Sequence, residues 1–457
     1  MNDNPFTNPN DSTRDLILAF EQALQSDSLQ FFDLDELETV MDYYLSVDDL
    51  KSLKKAIAYA EHLYPDNTEV ELWRAHWLIA DDKPHKALEL LSSLHQKEPD
   101  NTDIEFSLGE ANSSLGRHKR AIKHYLAAAV DGYNLAQIYA CVADEYYEMK
   151  DLANAIKYYL EALASDPLYS SALINYTDAC IDANRMDESA SYIQQLLADY
   201  PYYKDAWHCL GCTYLNLGLK EKAVDALEYA IAIDNAFAPA YIKLMMLYEE
   251  EGNIPQAASM MHRLLATTDE PGFAWLQLGK LYLRAENAPT AIDCLRKSLA
   301  YLPDNPDVLA SLGLAEFLAD DLGLASTYAH KALTIEPDYA DALFCAAQVS
   351  RALYDQKAAD GYFNRLIESP LCTEAHCHCY IDYLFENEYY DDVIDFAEQS
   401  LELYPGDAFY SAYLAAALFL TNRYRRLSLS LPTADKELLL ELCPQMWENP
   451  QVQPLLS

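Results

Sequence analysis

A chain of 457 residues that is 51% apolar can bury a core, which excludes an intrinsically disordered protein. Its 73 acidic against 32 basic residues leave a net charge of −41, which repels phosphate backbones and anionic lipid, so neither nucleic acid nor a membrane is an expected partner. Ten cysteines are too sparse for a disulfide scaffold and read as reduced thiols in a cytoplasmic protein, while only 12 glycines suit helices better than a turn-rich sheet.

The N-terminal MNDNPFTNPNDSTRD lacks a basic start followed by an apolar run, so it does not read as a secretory signal. Residues 1–11 are expected to be a loose polar segment. Ser12 or Thr13 is expected to cap a single helix within residues 12–33.

From Leu34 onward the chain is periodic. Pro65, Pro99, Pro167, Pro201, Pro303, Pro337 and Pro405 differ pairwise by multiples of 34. Ala87, Ala121, Ala155, Ala223, Ala257, Ala291, Ala325 and Ala359 share a second lattice of that period, and Ala19 falls on it ahead of the repeats. A third lattice holds small residues: Ala75, Gly109, Ala143, Thr177, Gly211, Gly279, Gly313 and Ala347. In the clearest unit Trp207, Leu210, Gly211 and Tyr214 fall at i, i+3, i+4 and i+7, one stripe of a helix, and Ala223, Leu227 and Ala230 form the facing stripe of a second. The small residues let the two backbones approach, and the prolines end each unit.

Trp207-x2-Leu210-Gly211-x2-Tyr214, repeated at Trp275, Leu278, Gly279 and Tyr282, resembles the tetratricopeptide repeat family. The resemblance implies an all-α fold, a right-handed α-solenoid of helix-turn-helix repeats. Eleven units of 34 residues are expected over 34–407, with a half repeat and a capping helix over 408–457.

The family also implies that positions 2, 5, 9, 12 and 13 of each first helix line a concave groove. Carried over residue by residue, these are Asp35, Glu38, Asp42, Asp103, Phe106, Glu110, Asp144, Tyr147, Glu148, Asp178 and Asp182, with Asp205 and His208 continuing them. Leu72 and Ile174 sit among them, and no Lys or Arg takes such a place from Leu34 to Tyr203. Lys280, Arg284 and Arg351 follow, among apolar groups such as Met246, Leu276, Phe317 and Phe344. Lysine at position 5 with asparagine at position 9, the pair by which chaperone-binding relatives clamp a carboxylate terminus, occurs in no unit. The expected function is therefore a non-catalytic protein-interaction scaffold whose acidic groove takes a basic or extended partner segment.

Leu371 to Tyr383 gathers Cys372, His376, Cys377, His378 and Cys379. Successive helical residues point about 100° apart, so four adjacent side chains cannot converge on one ion. Cys377 takes a core position, and His378 is expected to face the groove. Cys209 and Cys212 form a C-x-x-C in mid-helix, the wrong setting for redox chemistry. Phosphate-loop, zinc-protease and serine-elbow motifs are absent, and the strict spacing leaves no inserted loop for an active site. No catalytic residue, metal or cofactor is expected. Carboxylate pairs such as Asp48-Asp49 and Asp320-Asp321 sit between helices, where they cap.

Beyond Ala408–Asn422, a last first-helix, comes RYRRLSLSLP and then a short helix from Ala434 to Cys443. Arg423, Arg425 and Arg426 raise an alternative: self-association of the solenoid head-to-tail, this cluster docking in a neighbour's acidic groove. The plainer reading is a helix end whose arginines answer the dipole. Oligomeric state does not follow from sequence.

Overall fold

A computed structural model describes residues 11–25, 30–132, 134–449 and 452. Among these residues all regular structure is helical. The first helix is α1 (Asp11–Gln25), followed in chain order by α2 (Leu34–Ser46), α3 (Leu50–Leu63), α4 (Thr68–Ala80), α5 (Pro84–Lys97), α6 (Thr102–Ser113), α7 (His118–Ala128), α8 (Leu135–Glu148) and α9 (Leu152–Ser165). There follow α10 (Ser170–Asp182), α11 (Met186–Asp199), α12 (Lys204–Asn216), α13 (Lys220–Ile233), α14 (Ala238–Glu250), α15 (Ile254–Leu265), α16 (Pro271–Arg284), α17 (Ala288–Tyr301) and α18 (Pro306–Leu318). The chain closes with α19 (Leu322–Ile335), α20 (Ala340–Ala352), α21 (Gln356–Glu368), α22 (Glu374–Glu386), α23 (Tyr390–Leu403), α24 (Ala408–Leu420), α25 (Tyr424–Ser430) and α26 (Lys436–Leu442). The chain divides into two bodies, 1–244 and 245–457.

The period has a backbone cause. Asp48, Asp82, Gly116, Lys150, Asn184, Gly218, Gly252, Glu286, Asp320, Tyr354, Glu388 and Asn422 all have positive φ, one every 34 residues, between the first and second helix of each pair. A single left-handed residue turns the chain back in so few residues that the second helix must lie against the first. Side-chain caps then start the next helix. Asp49, Asp151, Asn253, Asn287, Asp321 and Asp355 accept backbone N–H groups at the start of second helices. Asp33, Asn67, Asn101, Asn305, Thr373 and Asp407 do so for first helices. Each such cap contributes about 1 kcal/mol.

Within a pair the contact is close. A Cβ added at Gly211 would stand 2.7 Å from Leu227 Cγ, and one at Gly279 2.5 Å from Leu295 Cγ. At Gly109 it would meet the Tyr125 ring at 2.5 Å. Trp207 caps the same seam by stacking on Tyr229 at 4.7 Å between ring centroids, its Nε1 donating to Pro201 O at 2.8 Å.

No pair buries its stripe alone. In the first body, buried Tyr159, Leu173, Tyr176, Ile193 and Leu210 belong to one cluster running from α8 to α13. The α1 helix closes that body's beginning, with Phe20 edge-on to Phe32 at 5.7 Å and to Tyr59 at 5.4 Å. In the second body, α24 is buried on every side from Tyr410 to Phe419. It is covered by Leu427, Leu439, Cys443, Met446 and Val452, and Asp435 N donates to Ala408 O at 3.0 Å.

The ends depart from expectation. Residues 1–10 lie outside the described residues, and α1 already begins at Asp11, so Ser12 and Thr13 stand in its first turn instead of capping it. The RYRRLSLSLP stretch contains a helix, α25, and the final helix is shorter than Ala434–Cys443 because Asp435 caps it through Glu437 N and Leu438 N. Arg423 is the N-cap of α25, and Arg425 and Arg426 lie in its first turn, the end where the dipole disfavours cations. They are held by carboxylates instead: Arg423 pairs with Asp391 and Arg426 with Glu398.

Two substitutions test this framework in opposite directions. Gly279→Val forces side-chain atoms into Leu295 and should destabilise by about 1–3 kcal/mol. Tyr354→Gly, at a 95% exposed residue with φ 58°, relieves the left-handed strain and should stabilise by about 1 kcal/mol. Thermal unfolding of both proteins against the parent checks the two signs.

Candidate protein-binding groove

Equal positions of successive first helices stand in file, so polar side chains pair from one repeat to the next. In the first body Asn175 Nδ2 donates to Asp144 Oδ1 at 3.0 Å, and His76 Nε2 lies 3.0 Å from Ser107 Oγ. Both contacts span 31 residues. Tyr147 donates to Asp182 across 35 residues. In the second body the same 35-residue step joins Arg284 to Glu249, bidentate at 2.6 and 2.9 Å, and Arg351 to Glu386. Lys280 Nζ meets Asp307 Oδ2 at 2.6 Å.

The sequence-predicted residues divide by charge. All three basic ones, Lys280, Arg284 and Arg351, are consumed by carboxylates of the same chain. By contrast Asp35, Glu38, Asp42, Asp103, Asp144, Asp178 and Asp182 have no cation at ion-pair distance among the described residues. Burial raises the pKa of Glu38, and Glu69, Asp35 and Asp42 raise it further by repulsion. Burial also raises Asp42, Asp144 and Asp178. At Asp144 the hydrogen bonds from Tyr159 and Asn175 act against that rise, and at Asp178 the neighbouring Lys243 does.

Two recesses lie among these acids. One of about 240 Å³ is lined by Asp144, Tyr147, Glu148, Tyr159, Asn175 and Asp178. Tyr159 Oη donates to Asp144 Oδ1 at 2.5 Å and so fixes that carboxylate at the wall. A smaller one of about 110 Å³ has Asp103 and Phe106 on one side and Asn134, Gln137 and Ile138 on the other. Phe106 leans on Tyr125 with centroids 5.4 Å apart. Tyr159, Asn175 and Lys243 escape sequence reasoning because they stand on a second helix or at position 6, which the family pattern does not assign to the groove. For Asn175 the signal is its 31-residue step from Asp144.

Several expectations are corrected. Leu72 and Leu276, at position 5, are buried in the core. His208 is packed edge-on to Phe237 at 5.7 Å, and burial, with Lys243, pulls its pKa down to about 4, so it is neutral near pH 7. His378 keeps about a third of its side chain open and packs on Phe409 at 3.9 Å and near Tyr410 at 5.5 Å. Its neighbour His376 is buried, caps α22 with Thr373, and holds Asp341 Oδ1 3.3 Å from Nε2. That contact lowers the pKa of Asp341. Cys377 is half-buried against the core with its Sγ 3.7 Å from Cys372 Sγ. No group of three or more His, Cys, Asp or Glu among the described residues is arranged to hold a metal ion.

Models of the tetratricopeptide repeat match residues 143–204, 205–237 and 276–340. These stretches of the chain are tetratricopeptide repeats. It is 24% identical over 182 residues to tetratricopeptide repeat protein 8 of Caenorhabditis elegans, covering 39% of this chain and 36% of that one. It is 25% identical over 185 residues to the human cell division cycle protein 16 homolog, covering 40% of this chain and 29% of that protein. The chain thus spans about a third of the length of these relatives. Among solved structures, the APC/C hetero-tetramer Cut9-Hcn1 aligns over 89% of this chain and 94% of the matched chain, at 15% identity and a TM-score of 0.42. PilW, a type IV pilus biogenesis factor, aligns over 45% of this chain and 95% of its own, at 22% identity and a TM-score of 0.37. The tetratricopeptide repeats support a protein–protein interaction scaffold. No helix among the described residues is long and apolar enough to cross a membrane.

One carboxylate of the groove offers a pH test. Glu110 Oε2 lies 3.5 Å from His76 Nε2, and 36% of its side chain remains open. Burial nonetheless outweighs that attraction, pushing Glu110 up to about 7 and His76 down to about 4. A raised carboxyl contributes stability below its ordinary value of 4.5 and loses it as pH rises through about 7. Glu110→Gln should therefore melt a few degrees above the parent at pH 8, and the gap should close by pH 5.

Proposed function

We propose that this chain is a non-catalytic cytoplasmic scaffold whose first-helix face binds a protein partner through an extended segment bearing Lys or Arg. The observation that carries the reading is the asymmetry just described. Cations on this face of the second body are paired internally, whereas Asp35, Glu38, Asp42, Asp103, Asp144, Asp178 and Asp182 have no cation at ion-pair distance among the described residues. A basic side chain entering beside Asp144 and Asp178 would find charge, a half-buried tyrosine for its stem and a recess for its head. It would also relieve repulsion that the free protein carries, so the gain on binding exceeds that of an exposed pair. The eleven-unit division of 34–407 belongs to this proposal, since binding along several units requires equal positions to recur in file.

The alternative, head-to-tail self-association through Arg423, Arg425 and Arg426, draws less support, since Arg423 and Arg426 already hold carboxylates of the preceding second helix. The groove reading makes a direct prediction. Asp103→Lys combined with Asp178→Lys, both exposed positions, should weaken binding of a labelled Lys/Arg-rich peptide about tenfold or more in fluorescence anisotropy, without lowering helicity. Unchanged affinity would remove the acidic face from the account.

A further inference from the structure

One segment reverses the charge of the chain. From Ala111 to Val130 there is no Asp or Glu, and within it runs Arg117-His118-Lys119-Arg120-Ala121-Ile122-Lys123-His124. These residues occupy the N-cap and first two turns of α7, a second helix. The two histidines are tied down by carboxylates: His118 Nδ1 lies 2.7 Å from Glu145 Oε2, and His124 Nδ1 lies 2.7 Å from Glu105 Oε2. The Arg117, Lys119, Arg120 and Lys123 side chains make no ion pair or side-chain hydrogen bond among the described residues.

Their placement is costly. Six second helices begin with Asp or Asn accepting a backbone N–H, as at Asp49, Asp151 and Asp321, while α5, α11, α13, α23 and α25 share with α7 the lack of a side-chain cap. The start of α7 has no side-chain cap and gathers positive charge at the positive end of the dipole. Folding does not need this arrangement, and an anion placed there would relieve it.

The cations also face open space. A cleft of about 580 Å³ lies between α5 and α7, with Arg117, Arg120, Lys123 and His124 on one wall, His95 and Gln96 on the other, and Leu88 and Leu108 among its apolar lining. A second cleft of about 550 Å³ extends over Gly116–Arg120 to Met149. Arg117 and Arg120 line both. Two adjoining clefts with apolar as well as cationic lining exceed what one ion needs and suit a short chain of alternating acidic and apolar side chains. None of the lining residues belongs to the acidic face.

We propose that the α5–α7 cleft docks an acidic, extended segment of a protein partner, giving the scaffold a second site of opposite charge preference. Arg117 and Arg120 hold carboxylates at the junction of the two clefts, Lys123 holds one further along, and Leu88 and Leu108 receive the intervening apolar groups.

The test uses the full chain and a labelled Asp/Glu-rich peptide with interspersed leucines, followed by fluorescence anisotropy at low and physiological salt. The parent should bind saturably and more weakly as salt rises. Arg117→Glu with Arg120→Glu and Lys123→Glu should lose about tenfold or more in affinity, and the matching Gln triple, which adds no negative charge to the helix start, should lose affinity in the same direction. Lys51→Glu with Lys55→Glu, a comparable charge reversal on another second helix, should leave binding intact. Absence of saturable binding to the parent, equal affinity in the Gln triple, or an equal loss in the Lys51/Lys55 protein would overturn the proposal. So would tighter binding of a single-stranded oligonucleotide than of the peptide.

Discussion

The structure depends on one constraint: in the pairs with glycine at the contact, two helix backbones meet too closely to admit a larger residue there, while Met41, Met245 and Ile381 fill the same buried position in other pairs. A Cβ at Gly211, Gly279 or Gly109 would already lie inside the van der Waals shell of Leu227, Leu295 or Tyr125. The left-handed residue that recurs every 34 positions delivers the chain to that contact in the same way each time. Because every pair is built alike, neighbouring pairs stack with the same side chains opposite one another. The cores then join across repeats into clusters no single pair could form.

That regularity governs the chemistry of the surface. A residue at one position of a first helix meets a fixed position of the next, at a step of 31 or 35 residues. Where opposite charges or a hydroxyl and a carboxylate fall on those steps, they satisfy each other, as Arg284 does with Glu249. Where two acids fall on them, as Glu38 and Glu69 do 31 residues apart, they stay in mutual repulsion. The net charge of −41 is thus not spread evenly in its effect. It is neutralised in part of the second body, left open along the first-helix face of the first, and reversed on α7.

Much of the fold was legible because periodic spacing carries it. Proline, alanine and small-residue lattices fix where helices pair, and Gly279 announces the close contact before any coordinate does. The helix ends were less legible. Arg423 to Arg426 look like a tail of basic residues in one dimension but begin α25, because Leu427 and Leu431 have a buried face to reach. Of the candidate groove, the acids could be named, but their partners could not. Family positions place Asp144 and say nothing of Tyr159, which comes from the facing helix to hold it. The same pattern assigned Leu72 to the groove although the core claims it, since it scores position and not burial. The cationic start of α7 leaves no mark on the lattices, because the repeat fixes small and apolar positions and is indifferent to charge on the outer face of a second helix.

The account rests on the first-helix face of the first body being where a basic segment is gripped. Amide hydrogen exchange of the full chain, with and without a saturating Lys/Arg-rich peptide, reads that most directly. The account predicts slowed exchange on α6, α8, α10 and α12, strongest around Asp144 to Glu148 and Asp178 to Asp182, with the second helices α9 and α11 little changed. Protection confined to second helices, or none at saturation, would contradict it.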